Sequence, residues 1–198
     1  MSGISAILLA AGESTRMGRP KPLLHWHDVT LLEYQTRSLI DGGASEVVVV
    51  LGHRAEDLTG YVTGHSVRYE VNTDYALGKT TSIKAGVRAA DQGAEGFLLL
   101  AIDQPRTSTI VSTVIRAHRD GNSLITSPRH RGRGGHPLVF AASLKRELEA
   151  VSEETQGVRA VFEAHAGEVT RLVLADPMVR LDVNTPEAYE EAKKRYGA

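Results

Sequence analysis

The chain has 198 residues, with 23 Lys and Arg against 24 Asp and Glu, a formal net charge of -1 and no cysteine. The balanced charge argues against binding of nucleic acid through a basic surface, and the lack of cysteine excludes disulfides, thiolate zinc sites, iron–sulfur clusters and cysteine nucleophiles. Apolar residues make up 41% and charged residues 24% of the chain, which is ordinary for a folded domain and excludes wholesale disorder.

The apolar stretch at residues 4–11 predicts a buried first strand. No Lys or Arg precedes it, whereas a signal peptide has a basic region at that place. The other apolar runs, such as residues 47–51 and 97–102, are far shorter than the roughly 20 residues that a membrane helix needs. We therefore expect a cytoplasmic protein that does not enter membranes.

Strand and helix patterns alternate along the chain. Predicted strands, several of them near-continuous apolar runs, cover residues 4–9, 46–51, 67–71, 97–102, 124–127, 137–140, 169–174 and 179–181. Predicted helices run from a capping box at Thr30 to a stop at Gly42, over residues 54–61, 80–91 and 108–119, and onward from Pro186. This alternation predicts an α/β fold, a Rossmann-like three-layer α/β/α sandwich with a mostly parallel sheet. Ligands bind such sheets beyond the carboxyl ends of the strands.

A glycine-rich turn follows the first predicted strand, and residues 9–21 read LAAGESTRMGRPK. Successive backbone N–H groups in such a turn can bind phosphate oxygens, and Arg16 and Lys21 add mobile positive charge at the same edge. The turn lacks the spacing of a dinucleotide-binding fingerprint and of a Walker A loop. On glycines and charges alone, a polyphosphate site and a solvated loop remain equally open.

A second segment imitates the end of a Walker A loop. Gly78, Lys79 and Thr80 have the right order, but Thr73 stands where that loop needs its first glycine. The sequence therefore disfavours a P-loop kinase.

Five ordered segments resemble the MobA-like NTP transferases. They are LAAGESTRMGRPK at residues 9–21, NTDYALGKTTSIKAG at 72–86, DQP at 103–105, GHP at 135–137 and DVNTP at 182–186. The DQP and GHP segments are most similar to the molybdenum cofactor cytidylyltransferases within that family. The resemblance implies one domain of the nucleotide-diphospho-sugar transferase type over residues 1–198. It also implies transfer of CMP from CTP to a phosphorylated molybdopterin-type cofactor, with release of pyrophosphate.

Two carboxylates support this chemistry independently of the resemblance. Asp103 follows the predicted strand 97–102 and Asp182 follows 179–181, so both are expected at the ligand edge. Two carboxylates with phosphate oxygens and waters suit Mg²⁺, which would neutralise the triphosphate together with Arg16 and Lys21. An acceptor phosphate can attack the α-phosphorus directly, so no protein nucleophile is needed.

The resemblance also implies a role for each matching residue. Catalysis would depend on Arg16, Lys21 and Asp103, and the metal would be held by Asp103 and Asp182. The nucleotide would contact Leu9, Ala10, Ala11, Gly12, Arg16, Lys21, Asn72, Thr81, Ser82 and Asp103. The acceptor would contact His136 and Arg133, the latter in a cationic stretch at 129–133 that is equally compatible with a solvated loop. The implied partners are a nucleoside triphosphate, a molybdopterin-type cofactor and a molybdoenzyme or its maturation factor.

Two departures from the family pattern leave the substrates open. Ile102 stands where the family usually has glycine before DQP, and the KTTS run at residues 79–82 replaces a Met-Ser-Ser-Ser type of segment. A transferase that uses GTP or another acceptor phosphate is one alternative. A non-catalytic protein that binds molybdenum cofactor is another.

Overall fold

The computed structural model describes residues 3–197; the expected domain spans 1–198, so Met1, Ser2 and Ala198 lie outside the described residues. The strands are β1 (Ile4–Leu9), β2 (His25–Trp26), β3 (Val29–Thr30), β4 (Glu46–Leu51), β5 (Val67–Val71), β6 (Gly96–Ala101), β7 (Ile125–His130), β8 (Arg133–Gly134), β9 (Leu138–Ala141) and β10 (Val169–Val173). The α-helices are α1 (Leu31–Asp41), α2 (Ala55–Leu58), α3 (Lys79–Ala89), α4 (Ser108–Asp120), α5 (Lys145–Ala150), α6 (Val158–Ala164) and α7 (Pro186–Tyr196).

Eight strands of the described chain form one mixed sheet, in which seven follow the order β10-β7-β9-β6-β1-β4-β5 and β8 pairs with β7. The β10–β7, β6–β1, β1–β4 and β4–β5 pairs are parallel, whereas β9 is antiparallel to both of its neighbours, β6 and β7. The carboxyl ends of β1, β4, β5, β6, β7 and β10 therefore meet at one edge of the sheet. The short pair β2 and β3 forms a separate hairpin.

Residues of β1 point alternately to two hydrophobic cores. Ala6 and Leu8 belong to the core shared with α1, α4 and α7. Ile7 and Leu9 belong to the core shared with α3, α5 and α6. Burial of both faces explains why the strand is apolar throughout. The structure thus confirms the predicted three-layer α/β/α sandwich with a mostly parallel sheet.

Side-chain caps define the helix starts that the sequence predicts. Thr30 Oγ1 accepts a hydrogen bond from the N–H of Glu33, and the Glu33 carboxylate accepts one from the N–H of Thr30, so the capping box of α1 is confirmed. Thr185 caps α7 through the N–H of Ala188, with Pro186 in the first turn. Such a cap stabilises a helix by about 1 kcal/mol.

One predicted strand is wrong. Residues 179–181 do not pair in the sheet, because a 3₁₀ turn at Pro177–Arg180 precedes and overlaps them. The Asp176 carboxylate accepts the N–H of Met178 at 2.8 Å, and Pro177 has a fixed φ that suits the start of a turn. The predicted helix 54–61 is also divided, into α2 and a 3₁₀ turn at Thr59–Tyr61. Within residues 3–197, no helix has the length and apolar character to cross a membrane.

Candidate functional site

A cavity of about 280 Å³ opens at the carboxyl ends of β1 and β6. Its wall is made by Leu9, Ala11, Gly12, Ser14, Lys21, Tyr75, Gly78, Lys79, Ser82, Ala101, Ile102 and Asp103. A Cβ atom at Gly12 would meet no protein atom within 4 Å, so the missing side chain leaves open space beside the backbone. The cavity lies where doubly wound sheets bind ligands, at the edge that the sequence predicts.

The glycine-rich turn is held by Ser14 and Gly18. Both have left-handed backbone conformations, with φ of 56° and 70°, and Gly18 supplies one without the strain of a side chain. The Ser14 hydroxyl accepts the N–H of Lys21 at 3.1 Å, which closes the turn on itself. This fixed loop carries the Lys21 side chain into the wall of the cavity.

Lys21 joins the turn to two distant segments. Its Nζ donates to Asp103 Oδ2 at 2.8 Å and to Asn184 Oδ1 at 2.7 Å. The Lys21 side chain is 11% exposed and that of Asp103 is 20% exposed, so the pair is shielded without being sealed from solvent. Asn184, in the DVNTP segment, is a site residue to which the sequence reasoning gave no role.

Asp182 reaches the same edge through its neighbours. The N–H of Val183 donates to the backbone carbonyl of Asp103 at 2.8 Å, which joins the two acid-bearing segments directly. The side-chain amide of Gln104 donates to Asp182 Oδ1 at 2.9 Å and lies 3.1 Å from His136 Nδ1. The structure therefore brings together Asp103, Asp182 and His136, from three separate motifs.

Arg106 connects the segments at this edge of the sheet. Its position directly after DQP is the one feature of the sequence that could have pointed to it. The residue is completely buried. Its guanidinium donates to the backbone carbonyls of Pro105, His136, Leu181 and Val179. Burial lowers the pKa of Arg106 to about 10, while the nearby carboxylates of Asp182 and Asp103 oppose that shift. The residue stays charged at neutral pH and fixes the segments that carry the two acids.

His136 is a neutral group in this arrangement. Burial, together with the positive charges of Arg106 and Lys79, lowers its pKa to about 3. A neutral ring can accept the Gln104 amide hydrogen at Nδ1. The turn that carries His136 has a cis peptide bond before Pro137.

The polar residues around the start of α3 form an internal network. The buried Asn72 donates its side-chain amide to Thr81 Oγ1 at 2.8 Å and to Ser82 Oγ at 2.9 Å, and its Oδ1 accepts the N–H of Asp74. Ser82 lines the cavity, whereas Asn72 and Thr81 lie behind its lining. The Glu153 carboxylate accepts the N–H of Thr80 at 2.8 Å and so caps this helix.

Three other predicted site residues lie away from the cavity lining. Ala10 is buried in the core shared with α1, α4 and α7, and its N–H donates to the carbonyl of Val50. Arg16 is exposed on the glycine-rich turn. Arg133 is exposed in β8 and lines a separate basin beyond β7.

The MobA-like NTP transferase model matches residues 6–169. The chain belongs to that family. The match extends from the first strand through the glycine-rich turn, Asp103 and His136, and so includes most of the site just described.

Two curated relatives of this NTP transferase are named for different activities. A nicotine blue oxidoreductase from Paenarthrobacter nicotinovorans is 33% identical over 192 residues, covering 93% of both chains. The molybdenum cofactor cytidylyltransferase of Escherichia coli K12 is 28% identical over 197 residues, covering 99% of this chain and 98% of the relative.

Among solved structures, Rv0371c of Mycobacterium tuberculosis H37Rv has a TM-score of 0.84 with 24% identity, covering 98% of both chains. The same protein in a complex with manganese has a TM-score of 0.77 with 25% identity, covering 96% of this chain and 97% of that one. These structures share the fold of this NTP transferase.

The donor atoms of this NTP transferase fit a divalent cation held jointly with phosphates. Asp103 offers carboxylate oxygens in the cavity lining, Asp182 offers them from the adjoining segment that Val183 bonds to Asp103, and Asn184 offers an amide oxygen. Among residues 3–197, no cluster of three or more His, Cys, Asp and Glu side chains could hold a metal ion. Mg²⁺ takes oxygen ligands, commonly one or two carboxylates completed by substrate phosphates and water, so this incomplete set suits it.

Proposed function

We propose that this chain is a magnesium-dependent enzyme that transfers a nucleotidyl group from CTP to the phosphate of a molybdopterin-type acceptor. The observation that supports this most directly is the position of Lys21 Nζ in the cavity wall. It lies 2.8 Å from Asp103 Oδ2 and 2.7 Å from Asn184 Oδ1, beside the open space at Gly12. A partly buried lysine can bind phosphate oxygens by charge-assisted hydrogen bonds, and the backbone N–H groups of a turn of small residues can bind them as well. The two together suit a nucleoside triphosphate.

In the proposed reaction, an oxygen of the acceptor phosphate attacks the α-phosphorus of the nucleotide. The bond from that phosphorus to the bridging oxygen of the β-phosphate breaks, and pyrophosphate leaves with the electron pair. The acceptor phosphate is largely dianionic at neutral pH, because its second pKa is about 6. Lys21 and Arg16 would stabilise the negative charge that develops on the leaving group.

The nucleotide would lie along the turn. Leu9, Ala11 and Gly12 would contact the base and ribose, and Ser82 would contact the ribose or base from the start of α3. Asn72 and Thr81 would contribute indirectly, because the side-chain amide of Asn72 donates to the hydroxyls of both Thr81 and Ser82 and so orients that wall. His136 and Arg133 would bind the acceptor.

Asp103 and Asp182 would hold the Mg²⁺ ion. When bound, the ion neutralises phosphate charge and stabilises the departing pyrophosphate. Lys21 orients Asp103, and Gln104 orients Asp182. We place this reaction in the cytoplasm, with a molybdoenzyme or its maturation factor as the recipient of the product.

A second candidate function is an oxidoreductase, favoured by the relative named nicotine blue oxidoreductase. In that case a dinucleotide reductant would occupy the cavity and no pyrophosphate would form. A binding protein that holds the cofactor without turnover would give neither reaction.

One assay separates these functions. The protein is incubated with Mg²⁺, molybdopterin-type acceptor and CTP, GTP, ATP or UTP, and pyrophosphate release is followed. We expect release with CTP above the other nucleotides and only when acceptor is present. Release with GTP alone would identify GTP, and not CTP, as the nucleotide substrate. Absence of release with all four nucleotides would refute the proposed transferase activity. If no pyrophosphate is released, oxidation of a reduced nicotinamide dinucleotide by nicotine blue would identify the protein as an oxidoreductase.

A further inference from the structure

Four arginines from three separate segments converge on one basin outside the nucleotide cavity. Arg131 and Arg133 come from the β7–β8 hairpin, Arg180 from the 3₁₀ turn at Pro177–Arg180, and Arg195 from the last turn of α7. The basin has a volume of about 580 Å³, and its other lining residues are His130, Ala175 and Pro177. We call this set the arginine basin.

The four guanidinium groups have no carboxylate partner in the described structure. None of them takes part in an ion pair within 4.0 Å among residues 3–197. The adjacent Asp176 carboxylate is engaged with the N–H of Met178, and Glu191 lies in the neighbouring hollow with Arg180 and Arg195. Four like charges gathered on a chain with a net charge of -1 create a local positive potential that an anion would neutralise.

The basin lies on the catalytic edge of the sheet. It forms at the carboxyl ends of β7 and β10, and β9 separates β7 from β6, whose end leads to Asp103. Asp182 lines the neighbouring hollow together with Arg180 and Arg195, which also line the basin, so these two arginines connect Asp182 with the basin. A ligand with one end beside Asp103 and Asp182 can therefore extend toward these arginines.

We propose that the arginine basin binds a second oxyanion group of the acceptor, separate from the phosphate that attacks. This rests on the proposed function, because a molybdopterin-type acceptor that carries an oxo-metal group has anionic oxygens in addition to those of its phosphate. Guanidinium groups suit this task, since their paired N–H donors match two oxygens of an oxyanion. Arg131, Arg180 and Arg195 thereby gain a role in substrate binding alongside Arg133.

Tungstate, a stable tetrahedral dianion, tests the basin without any turnover. Calorimetric titration at low ionic strength compares the wild type with the double variant Arg180→Gln and Arg195→Gln. A matched control, Arg88→Gln with Arg146→Gln, removes the same charge from exposed positions. Lys21→Gln removes the cation of the nucleotide cavity. We expect binding about tenfold weaker in the basin variant and unchanged in the matched control, while Lys21→Gln reports separately on tungstate that binds in the nucleotide cavity.

The basin would be excluded as an anion site if the basin variant bound tungstate as tightly as the wild type. It would also be excluded if Lys21→Gln were the only variant to lose tungstate binding. The second measurement is steady-state kinetics with acceptor and CTP. We expect the basin variant to raise KM for the acceptor about tenfold and to leave KM for CTP and kcat unchanged. Turnover with an unchanged acceptor KM would overturn the assignment to the acceptor. A wild type that releases no pyrophosphate would refute the proposed function and the acceptor assignment, while the tungstate result still decides whether the basin binds oxyanions.

Discussion

Lys21 Nζ and Asp103 Oδ2 lie 2.8 Å apart, although 82 positions separate the two residues in the chain. The contact joins the glycine-rich turn to the end of β6, and a second hydrogen bond from the same Nζ extends it to Asn184. One side chain thus links the start, the middle and the end of the sequence at the cavity.

Replacing Lys21 with Met is expected to lower kcat for pyrophosphate release about a hundredfold, the usual loss when one preorganised donor to a developing anion is removed. Methionine is an unbranched side chain one heavy atom shorter than lysine, so it keeps most of the packing and removes the charge. Steady-state kinetics with CTP and acceptor measure the effect. Lys194→Met, which removes an exposed lysine from α7, is the control. A Lys21→Met enzyme as active as the control would exclude Lys21 from catalysis.

Asp103→Asn and Asp182→Asn are each expected to weaken binding of the divalent cation about tenfold or more, because an amide oxygen carries no formal charge. Both variants keep an oxygen that can accept the present hydrogen bonds. Titration with Mn²⁺ in the presence of CTP, followed by electron paramagnetic resonance, measures the affinity. Asp120→Asn, at the exposed end of α4, serves as the comparison. Normal Mn²⁺ affinity in either variant would remove that acid from the metal site.

Arg106→Met is expected to lower the free energy of unfolding by about 3 kcal/mol or more, since it leaves buried carbonyl groups without donors. Equilibrium urea unfolding measures the change. Arg119→Met is the matched control, because Arg119 forms a 3.7 Å ion pair with Glu95 in which the side chains are 45% and 49% exposed. The control should change stability by less than about 1 kcal/mol. Equal losses in the two variants would show that Arg106 does not organise the edge.

His136 is expected to make the protein less stable as the pH falls. Its folded pKa of about 3 lies below the ordinary value of 6.5, so the unfolded chain takes up a proton between these values and the folded chain does not. Stability therefore rises with pH across this window and is fully present above pH 6.5. Between pH 6 and pH 5, the wild type should lose about 1 kcal/mol more than His136→Asn.

Urea unfolding at several pH values measures this difference. The variant His118→Gln provides the comparison, since burial also lowers the pKa of His118 and its removal leaves the contribution of His136 in place. Parallel pH profiles for the wild type and His136→Asn would contradict the buried neutral state of His136.

Most of the layered fold could be predicted because strand burial and helix capping are encoded locally. The apolar run of β1 and the capping box at Thr30 depend on neighbouring residues, and both were predicted at the right positions. The antiparallel placement of β9 could not be predicted, because strand direction depends on where the chain crosses the sheet. The error at 179–181 has a local cause, since Pro177 and the Asp176 cap favour a turn that apolar patterning does not register.

The sequence motifs located the acids of the site but not the groups that hold them. Both acids are expected to follow strands that end at one edge. The 179–181 run before Asp182 is not a strand, but the segments of the two acids still join through the N–H of Val183. Arg106 and Asn184 contact backbone and side-chain atoms that are distant in the sequence. Such contacts form only in the folded chain, so the spacing of residues along the sequence could not predict them. The roles of Arg16, Arg133 and the other candidate side chains in turnover remain predictions.

The bond between Lys21 and Asn184 spans 163 positions, and it imposes an order on how the centre is made. A ribosome releases the glycine-rich turn and β6 long before it reaches Asn184. Throughout that interval the Lys21 ammonium lacks one of its two hydrogen-bond acceptors. The contacts that join Lys21 to both Asp103 and Asn184 can therefore be completed only after the segment that carries Asn184 has been synthesised and has packed against the rest of the protein.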